Sequence, residues 1–214
     1  MLSKSKFLEA LDLIAALFPD AHGELNWDTP FHLLVAVSLS AQTTDVGVNK
    51  ATPALFARYP EPEDLAQADL TEVESYIKTI GLYKTKAKHI VAASQMLVAR
   101  YGGEVPQDKG ELVKLPGVGV KTANVVAAEA FGVPGIAVDT HVDRVTKRLG
   151  LVAWNKTVGD VEAKLMRTIP KNRWIKAHHQ LIFFGRYHCT AKKPKCADCP
   201  VFDICQWDGK YEAV

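Results

Sequence analysis

The sequence lacks an apolar run long enough to span a membrane, and it also lacks low-complexity linkers and repeats of fixed period. A bilayer-spanning helix needs roughly 20 consecutive apolar residues. The chain instead begins with charged residues mixed with apolar residues at helical spacing, which predicts an amphipathic helix and no secretory signal. With 48% hydrophobic residues in a chain of 214, disorder is excluded as well. We therefore expect an intracellular globular protein of one domain or two small ones.

Acidic residues are absent from two long stretches, although the net charge of the chain is only +2. Residues 75–103 contain five Lys or Arg and residues 163–197 contain nine, with no Asp or Glu in either stretch. Residues 1–74 hold four basic and twelve acidic side chains, a net charge of −8, so the rest of the chain carries +10. This asymmetry predicts a face for nucleic acid, and the alternative is an ordinary solvated basic surface.

Cysteine occurs only four times, within 17 positions, at Cys189, Cys196, Cys199 and Cys205. Disulfides are rare in a reducing compartment, so a metal site is the better interpretation. A structural zinc site usually has two close cysteine pairs, whereas only Cys196 and Cys199 are close here. Four thiolates around a larger group suit an iron–sulfur cluster. Spacing alone favours the cluster over zinc and leaves free thiols as a third possibility.

Helical signals recur along the chain and strand signals do not, which predicts an all-α protein of about ten short helices. Ser3, Thr29 and Thr44 stand at positions typical of helix N-caps, and proline follows Thr29 at the first helical position. We expect the first three helices to begin at these caps. Further helical segments are predicted around Leu65 and over 74–79, 85–101, 111–114, 121–131, 140–149, 158–168 and 172–187.

Residues 115–123, which read LPGVGVKTA, join two of these predicted helices. Proline ends the first helix, and both glycines are expected to adopt backbone conformations closed to other residues. Small side chains would leave the amides of the turn exposed, so that a phosphate can bind at the positive end of the second helix. Such a contact grips DNA without reading its sequence. The alternative is an ordinary tight turn between helices.

This segment, followed by Asp139 in the sequence VDTHVDR, resembles the helix-hairpin-helix DNA glycosylase superfamily. In that superfamily an aspartate follows the hairpin by about one helix and one loop, as Asp139 does here. The cysteine spacing matches the iron–sulfur branch, and the resemblance covers residues 29–205. It implies a [4Fe-4S] cluster on the four cysteines and duplex DNA with damaged bases or abasic sites as the partner of a monomeric enzyme.

The resemblance also implies a bifunctional glycosylase and abasic-site lyase that removes oxidised pyrimidines and nicks the strand 3′ to the site. Lys121 occupies the position of the lysine that marks members with both activities, whereas adenine glycosylases of the branch carry a glutamate where Val37 stands. A desolvated lysine at a helix N-terminus would be a good nucleophile toward C1′, and Asp139 would stabilise positive charge on the sugar. The alternatives are a surface lysine and a helix-capping aspartate, and Asp139 is able to fill both roles.

Other DNA contacts follow from the same resemblance. Gln42 would fill the space left by an extruded base, and Leu82 would wedge into the opposite strand, although a leucine beside glycine is more often a core residue. Lys192, Lys193 and Lys195 lie between two cysteines and are predicted to meet phosphates, with surface solubility as the alternative. The remaining predicted contacts are Leu115, Gly117, Gly119, Val120 and His141.

The resemblance implies two α-helical lobes with a DNA-binding cleft between them. Residues 23–133 would form a helical barrel with the hairpin, and residues 1–22 with 134–214 would form the iron–sulfur lobe. Three other hypotheses remain: a noncatalytic helix-hairpin-helix DNA-binding module, a small electron-transfer protein, and a glycosylase with another lesion preference.

Overall fold

The computed structural model describes residues 1–213, and this part of the chain contains eleven α-helices and no strand. The all-α prediction is therefore confirmed. No helix in the same span is long and apolar enough to cross a membrane. The helices are α1 (Lys4–Leu17), α2 (Pro30–Ser40), α3 (Asp45–Arg58), α4 (Pro62–Ala66), α5 (Leu70–Tyr76), α6 (Tyr83–Tyr101), α7 (Lys109–Leu112), α8 (Val120–Phe131), α9 (Thr140–Leu149), α10 (Val158–Thr168) and α11 (Trp174–Phe183).

The chain divides into two compact units. The hairpin unit is Glu24–Val133, and the cysteine unit combines Met1–Gly23 with the chain from Pro134 onwards. In the hairpin unit α2 packs against α3, α6 and α8, and it is apolar on every side, as a central helix must be. In the cysteine unit α1 packs against α11 through Phe7, Leu11 and Ile14, which are buried on one face.

The predicted caps begin the first three helices. The Ser3, Thr29 and Thr44 hydroxyl oxygens each accept a bond from the amide three residues later, and Pro30 occupies the first position of α2. Each cap satisfies a helix amide that would otherwise have no partner within the helix. The predicted positions of all three helix starts are confirmed.

Three predicted segments were wrong in detail. The helix predicted over 111–114 spans Lys109–Leu112, because Asp108 caps an earlier start. The helix predicted over 74–79 spans Leu70–Tyr76, because Asp69 accepts two amide bonds and caps an earlier start. The helix predicted over 172–187 is broken into a 3₁₀ turn at Lys171–Arg173, the helix α11 and a π turn at Phe184–His188. This π turn ends directly before Cys189 and so sets the direction in which the chain enters the segment that holds the four cysteines.

Candidate active site and cysteine site

The hairpin turn between α7 and α8 depends on Gly117. Its φ is +76°, and a Cβ added there would lie 2.7 Å from the Cβ of His89 on α6. Both facts exclude a side chain at this position. The Val118 amide donates to the Leu115 carbonyl oxygen at 3.0 Å, which closes the turn. The side chains of Leu115 and Val118 are buried and anchor the turn, so the Leu115 side chain is not at the surface.

Gly119 differs from Gly117 in its backbone. It is the N-cap of α8 with φ −87°, an extended conformation open to any residue. The prediction that Gly119 adopts a backbone conformation closed to other residues was therefore wrong. No atom lies within 4 Å of the position of an added Cβ, and no side chain caps the helix. The neighbouring Val120 is 68% exposed. Gly119 therefore leaves the first amides of α8 open to an outside acceptor, which is the feature that a phosphate requires.

Lys121 lies in the first turn of α8, where its side chain is exposed. The fold thus gives the lysine a helix N-terminus, as predicted, but does not bury it. The desolvation expected to activate the amine is therefore not supplied by burial of Lys121 within the fold.

Asp139 is the N-cap of α9 and is half-buried. Its Oδ1 accepts the amides of His141 at 2.9 Å and Val142 at 2.8 Å, and no residue in 1–213 bonds to Oδ2. One oxygen therefore caps the helix, and the other is available for chemistry. The Nδ1 atom of His141 lies 3.3 Å from Arg144 Nη2, which fixes the orientation of the imidazole ring.

Gln42 and Leu82 share a rare backbone conformation. Their φ angles are +57° and +58°, and in residues 1–213 they are the only residues other than glycine with positive φ. Both side chains are exposed, with Leu82 at 65%, so the core role considered for Leu82 was wrong. A strained residue persists only where its surroundings hold it, and such residues cluster at functional sites.

The four cysteines line one cavity of the cysteine unit, together with Arg148, Phe184 and Trp207. Nevertheless, within the described chain no three His, Cys, Asp or Glu side chains converge closely enough to hold a single metal ion. Four cysteine sulfurs around a single cavity are the donor set that an iron–sulfur cluster takes.

Burial disfavours negative charge on three of the cysteines, and two cations lie where they could compensate that charge. Burial raises the pKa of Cys199 to about 11 and also raises the pKa of Cys196 and Cys205, so the bare thiols stay protonated. Arg148 donates to the Cys189 sulfur at 3.3 Å, and the buried Lys210 ammonium donates to the Cys205 carbonyl oxygen at 2.7 Å. These cations would compensate the charge of four thiolates when a cluster is bound.

The loop after Cys189 is held from within the cysteine unit. Arg148 donates to the carbonyl oxygens of Thr190 at 2.8 Å and Ala191 at 3.0 Å, and its guanidinium stacks 3.9 Å from the Trp207 ring centre. Arg144 donates to the Cys189 carbonyl oxygen at 3.1 Å. The side chains of the three loop lysines are exposed, as a phosphate contact requires: Lys192, Lys193 and Lys195. Sequence reasoning missed both arginines, although their spacing of four on a predicted helix was visible.

Comparisons with known sequences agree with this geometry. A family model described as HhH-GPD superfamily base excision DNA repair protein matches residues 35–171, and one described as the iron–sulfur binding domain of endonuclease III matches residues 189–205. Endonuclease III of Bacillus subtilis (strain 168) is 55% identical over 212 residues, covering 99% of this chain and 97% of that protein. Endonuclease III of Escherichia coli (strain K12) is 46% identical over 211 residues, covering 99% and 100%.

Solved structures show the same similarity. A trapped endonuclease III–DNA covalent intermediate, in an estranged-adenine complex, matches with a TM-score of 0.96 and 53% identity over 100% of both chains. A non-covalent endonuclease III–DNA complex matches with a TM-score of 0.95, also at 53% identity, over 99% of both chains. A thermostable thymine-DNA glycosylase, 24% identical, shares the fold with a TM-score of 0.87 over 96% of this chain and 98% of that one.

Proposed function

The chain belongs to the endonuclease III family within the HhH-GPD superfamily of base excision DNA repair proteins, and on that premise we propose which of its residues perform the reaction. The protein is a bifunctional DNA glycosylase and abasic-site lyase that binds damaged duplex DNA. The observation that carries the assignment is the exposed Lys121, the second residue of α8, two positions after the N-cap residue Gly119, which has no side chain to cap the helix. A relative trapped in a covalent intermediate with DNA supports a nucleophile of this kind.

Lys121 acts as the nucleophile. Its neutral amine bonds to the deoxyribose C1′ while the bond from C1′ to the base breaks, and the electron pair leaves with the base. Nζ releases one proton to the departing base. The C1′–O4′ bond then breaks, O4′ takes up a proton from solvent, and a protonated Schiff base remains between Nζ and C1′. Loss of a proton from C2′ then expels the phosphate oxygen on C3′, which nicks the strand on the 3′ side of the site.

Asp139 stabilises the positive charge that develops on the sugar through its Oδ2 atom, while Oδ1 stays bonded to α9. This division of labour between its two oxygens lets one residue act as a cap and as a catalytic group. His141, two residues after Asp139 in the chain, contacts the DNA with its orientation set by Arg144.

The backbone of DNA is held at two places. The amides following Gly119 bind a phosphate, with Leu115, Gly117 and Val120 shaping the turn around them. Lys192, Lys193 and Lys195 bind phosphates from their loop. Gln42 occupies the space of the extruded nucleotide and Leu82 wedges the opposite strand, since both are exposed and held in a fixed conformation.

The cysteine site holds a [4Fe-4S] cluster on Cys189, Cys196, Cys199 and Cys205. When bound, the cluster cross-links four points of the chain and so rigidifies the lysine loop between the first two cysteines. Oxidised pyrimidines are the proposed substrate bases, and the nucleoid in the cytoplasm is the proposed place of action. Duplexes that each carry one defined lesion, scored separately for base release and nicking, test the substrate class.

Borohydride reduction in the presence of abasic-site duplex tests the nucleophile, because it converts a Schiff base into a stable adduct. We expect wild-type protein to form the adduct and Lys121→Gln to form none while still binding the duplex. Lys114→Gln, which removes an exposed lysine from the same hairpin, is the matched control and should trap normally. Adduct formation by Lys121→Gln, or none by wild type, would show that the assignment is wrong.

A further inference from the structure

Gln42 lies in a tight turn that follows α2 and does not suit its residue type. The Thr43 amide donates to the Ser40 carbonyl oxygen at 3.0 Å, Ala41 has φ −56° and ψ 116°, and Gln42 has φ +57°. These angles describe a type II turn with Gln42 at the third position, where glycine is preferred. The chain therefore holds a glutamine where the backbone favours glycine, and something else has to stabilise the turn.

Lys86 supplies that stabilisation. It is 7% exposed on α6, and its ammonium donates to the carbonyl oxygens of Leu39 at 2.8 Å and Ala41 at 2.6 Å, and to Thr43 Oγ1 at 3.1 Å. The three protons of an ammonium thus meet three oxygens that bracket Gln42 on both sides. Two of these oxygens belong to the C-terminal end of α2, where the helix dipole favours a positive charge.

Leu82 is also hydrogen-bonded to Lys86, but through the backbone amide of Lys86 and not through its ammonium. The Lys86 backbone amide donates to the Leu82 carbonyl oxygen at 3.0 Å, in the first turn of α6. A Cβ added to Gly81 would lie 3.8 Å from the Gln42 carbonyl oxygen, so the two turns are neighbours. A change of the Lys86 side chain would therefore release the turn of Gln42 and leave the bond to Leu82 in place.

We propose that Lys86 is a positioning residue that holds Gln42 ready to enter damaged DNA, a role that rests on the proposed function of Gln42. A lysine buried only for packing would be poorly suited to this place, because burial lowers its pKa and disfavours the ammonium. Retaining the charge here is explained by the three oxygens that it fixes. Without them Gln42 would sample other conformations, and part of the binding energy would be spent on ordering the turn.

The test compares binding to a duplex that contains one tetrahydrofuran abasic-site analogue with binding to the undamaged duplex. The analogue cannot form a Schiff base, so the result does not depend on the chemistry of Lys121. We expect Lys86→Met to weaken binding of the analogue duplex by about tenfold. The free energy of this loss is no larger than the conformational strain that one residue with such a backbone holds. Lys88→Met, which removes an exposed lysine from the same helix, is the control. The affinities of Lys86→Met and Lys88→Met for the undamaged duplex should agree within about twofold.

Double variants distinguish positioning from a general loss of structure. Because Lys86 acts through Gln42, Gln42→Ala combined with Lys86→Met should bind the analogue about as weakly as Gln42→Ala alone. With Leu82→Ala the two losses should multiply, because the backbone bond to Leu82 persists. Equal losses on both duplexes, multiplied losses with Gln42→Ala, or a loss in Lys86→Met without one in Gln42→Ala would each overturn the proposal.

Thr43 provides the same test if Lys86→Met does not fold. Thr43→Val removes one of the three acceptors with little change of volume, and we expect a smaller but selective loss on the analogue duplex. Thr43→Ser keeps the hydroxyl and should restore the wild-type ratio of the two affinities. An unchanged ratio in Thr43→Val would overturn the proposal, whereas failure of the proposed reaction would appear separately as absence of borohydride trapping by wild type.

Discussion

The two glycines of the hairpin allow its folding role to be separated from its role in binding DNA. Gly117→Ala places a residue with a side chain at φ +76°, which costs about 1–2 kcal/mol. It also brings two carbons to 2.7 Å, and because one is the Cβ of His89, α6 or the turn must shift. Overpacking of this kind costs about 1–3 kcal/mol. Together these terms predict a loss of roughly 2–5 kcal/mol, a large share of the stability of an ordinary domain.

Gly119→Ala is the matched comparison. Its φ of −87° and its open surroundings accept a methyl group, so stability should change by less than about 1 kcal/mol. The methyl group would nevertheless stand where a phosphate approaches the amides of α8. Loss of one such charge-assisted bond costs about 1.5–3 kcal/mol, which is roughly a tenfold to hundredfold weaker affinity.

Urea unfolding followed by far-UV circular dichroism measures the first effect, and titration of duplex DNA at several salt concentrations measures the second. Gly119→Ala should weaken binding without changing the salt slope, since it removes no charge. Equal stability of the two variants would refute the steric reasoning at Gly117. Wild-type affinity in Gly119→Ala would refute the phosphate contact at the N-terminus of α8.

Two further predictions concern the cysteine unit. Asp139→Asn keeps an oxygen for the amides of α9, so its free energy of unfolding should stay within about 0.5 kcal/mol of wild type, while single-turnover base release slows by about 10²–10⁴-fold. Asp139→Ala should in addition lose about 1 kcal/mol of stability. A wild-type rate of base release in Asp139→Asn would show that the residue is only a helix cap. Replacing Lys192, Lys193 and Lys195 with Gln should flatten the slope of log K against log salt by up to about 2.7, at about 0.9 per phosphate. Lys4→Gln on α1 is the control, and an unchanged slope in the triple variant would place those lysines away from DNA.

Local signals in the sequence were sufficient to predict much of the helical framework. The starts of α2 and α9 follow from Thr29 and Asp139, whose side chains accept amide bonds within the next three residues. Such bonds join residues that are close in the chain, so spacing alone reveals them. The π turn before Cys189 has no comparable signal. It depends on contacts between distant parts of the chain, since Arg144 bonds to the Gly185 carbonyl oxygen and Gly185 lies against His141.

Lys86 and Arg148, which sequence reasoning missed, share one physical feature, because each is a buried cation bonded to backbone oxygens far away in the chain. Lys86 and its acceptors are more than forty positions apart, and so are Arg148 and the loop after Cys189. Backbone carbonyls are the same for every residue type, so no pattern of side chains marks them as acceptors.

The strained turn of Gln42 shows why function and local preference diverge at this site. Type II turns favour glycine at the third position, so propensity alone predicts a glycine where the chain has a glutamine. Glycine there would relax the turn and remove the need for Lys86, but it would also remove the amide that can bond an orphaned base. In the fold the strained backbone of Gln42 instead lies next to the buried ammonium of Lys86. The ammonium holds the turn in place, and the oxygens of the turn replace the water that the buried charge has lost.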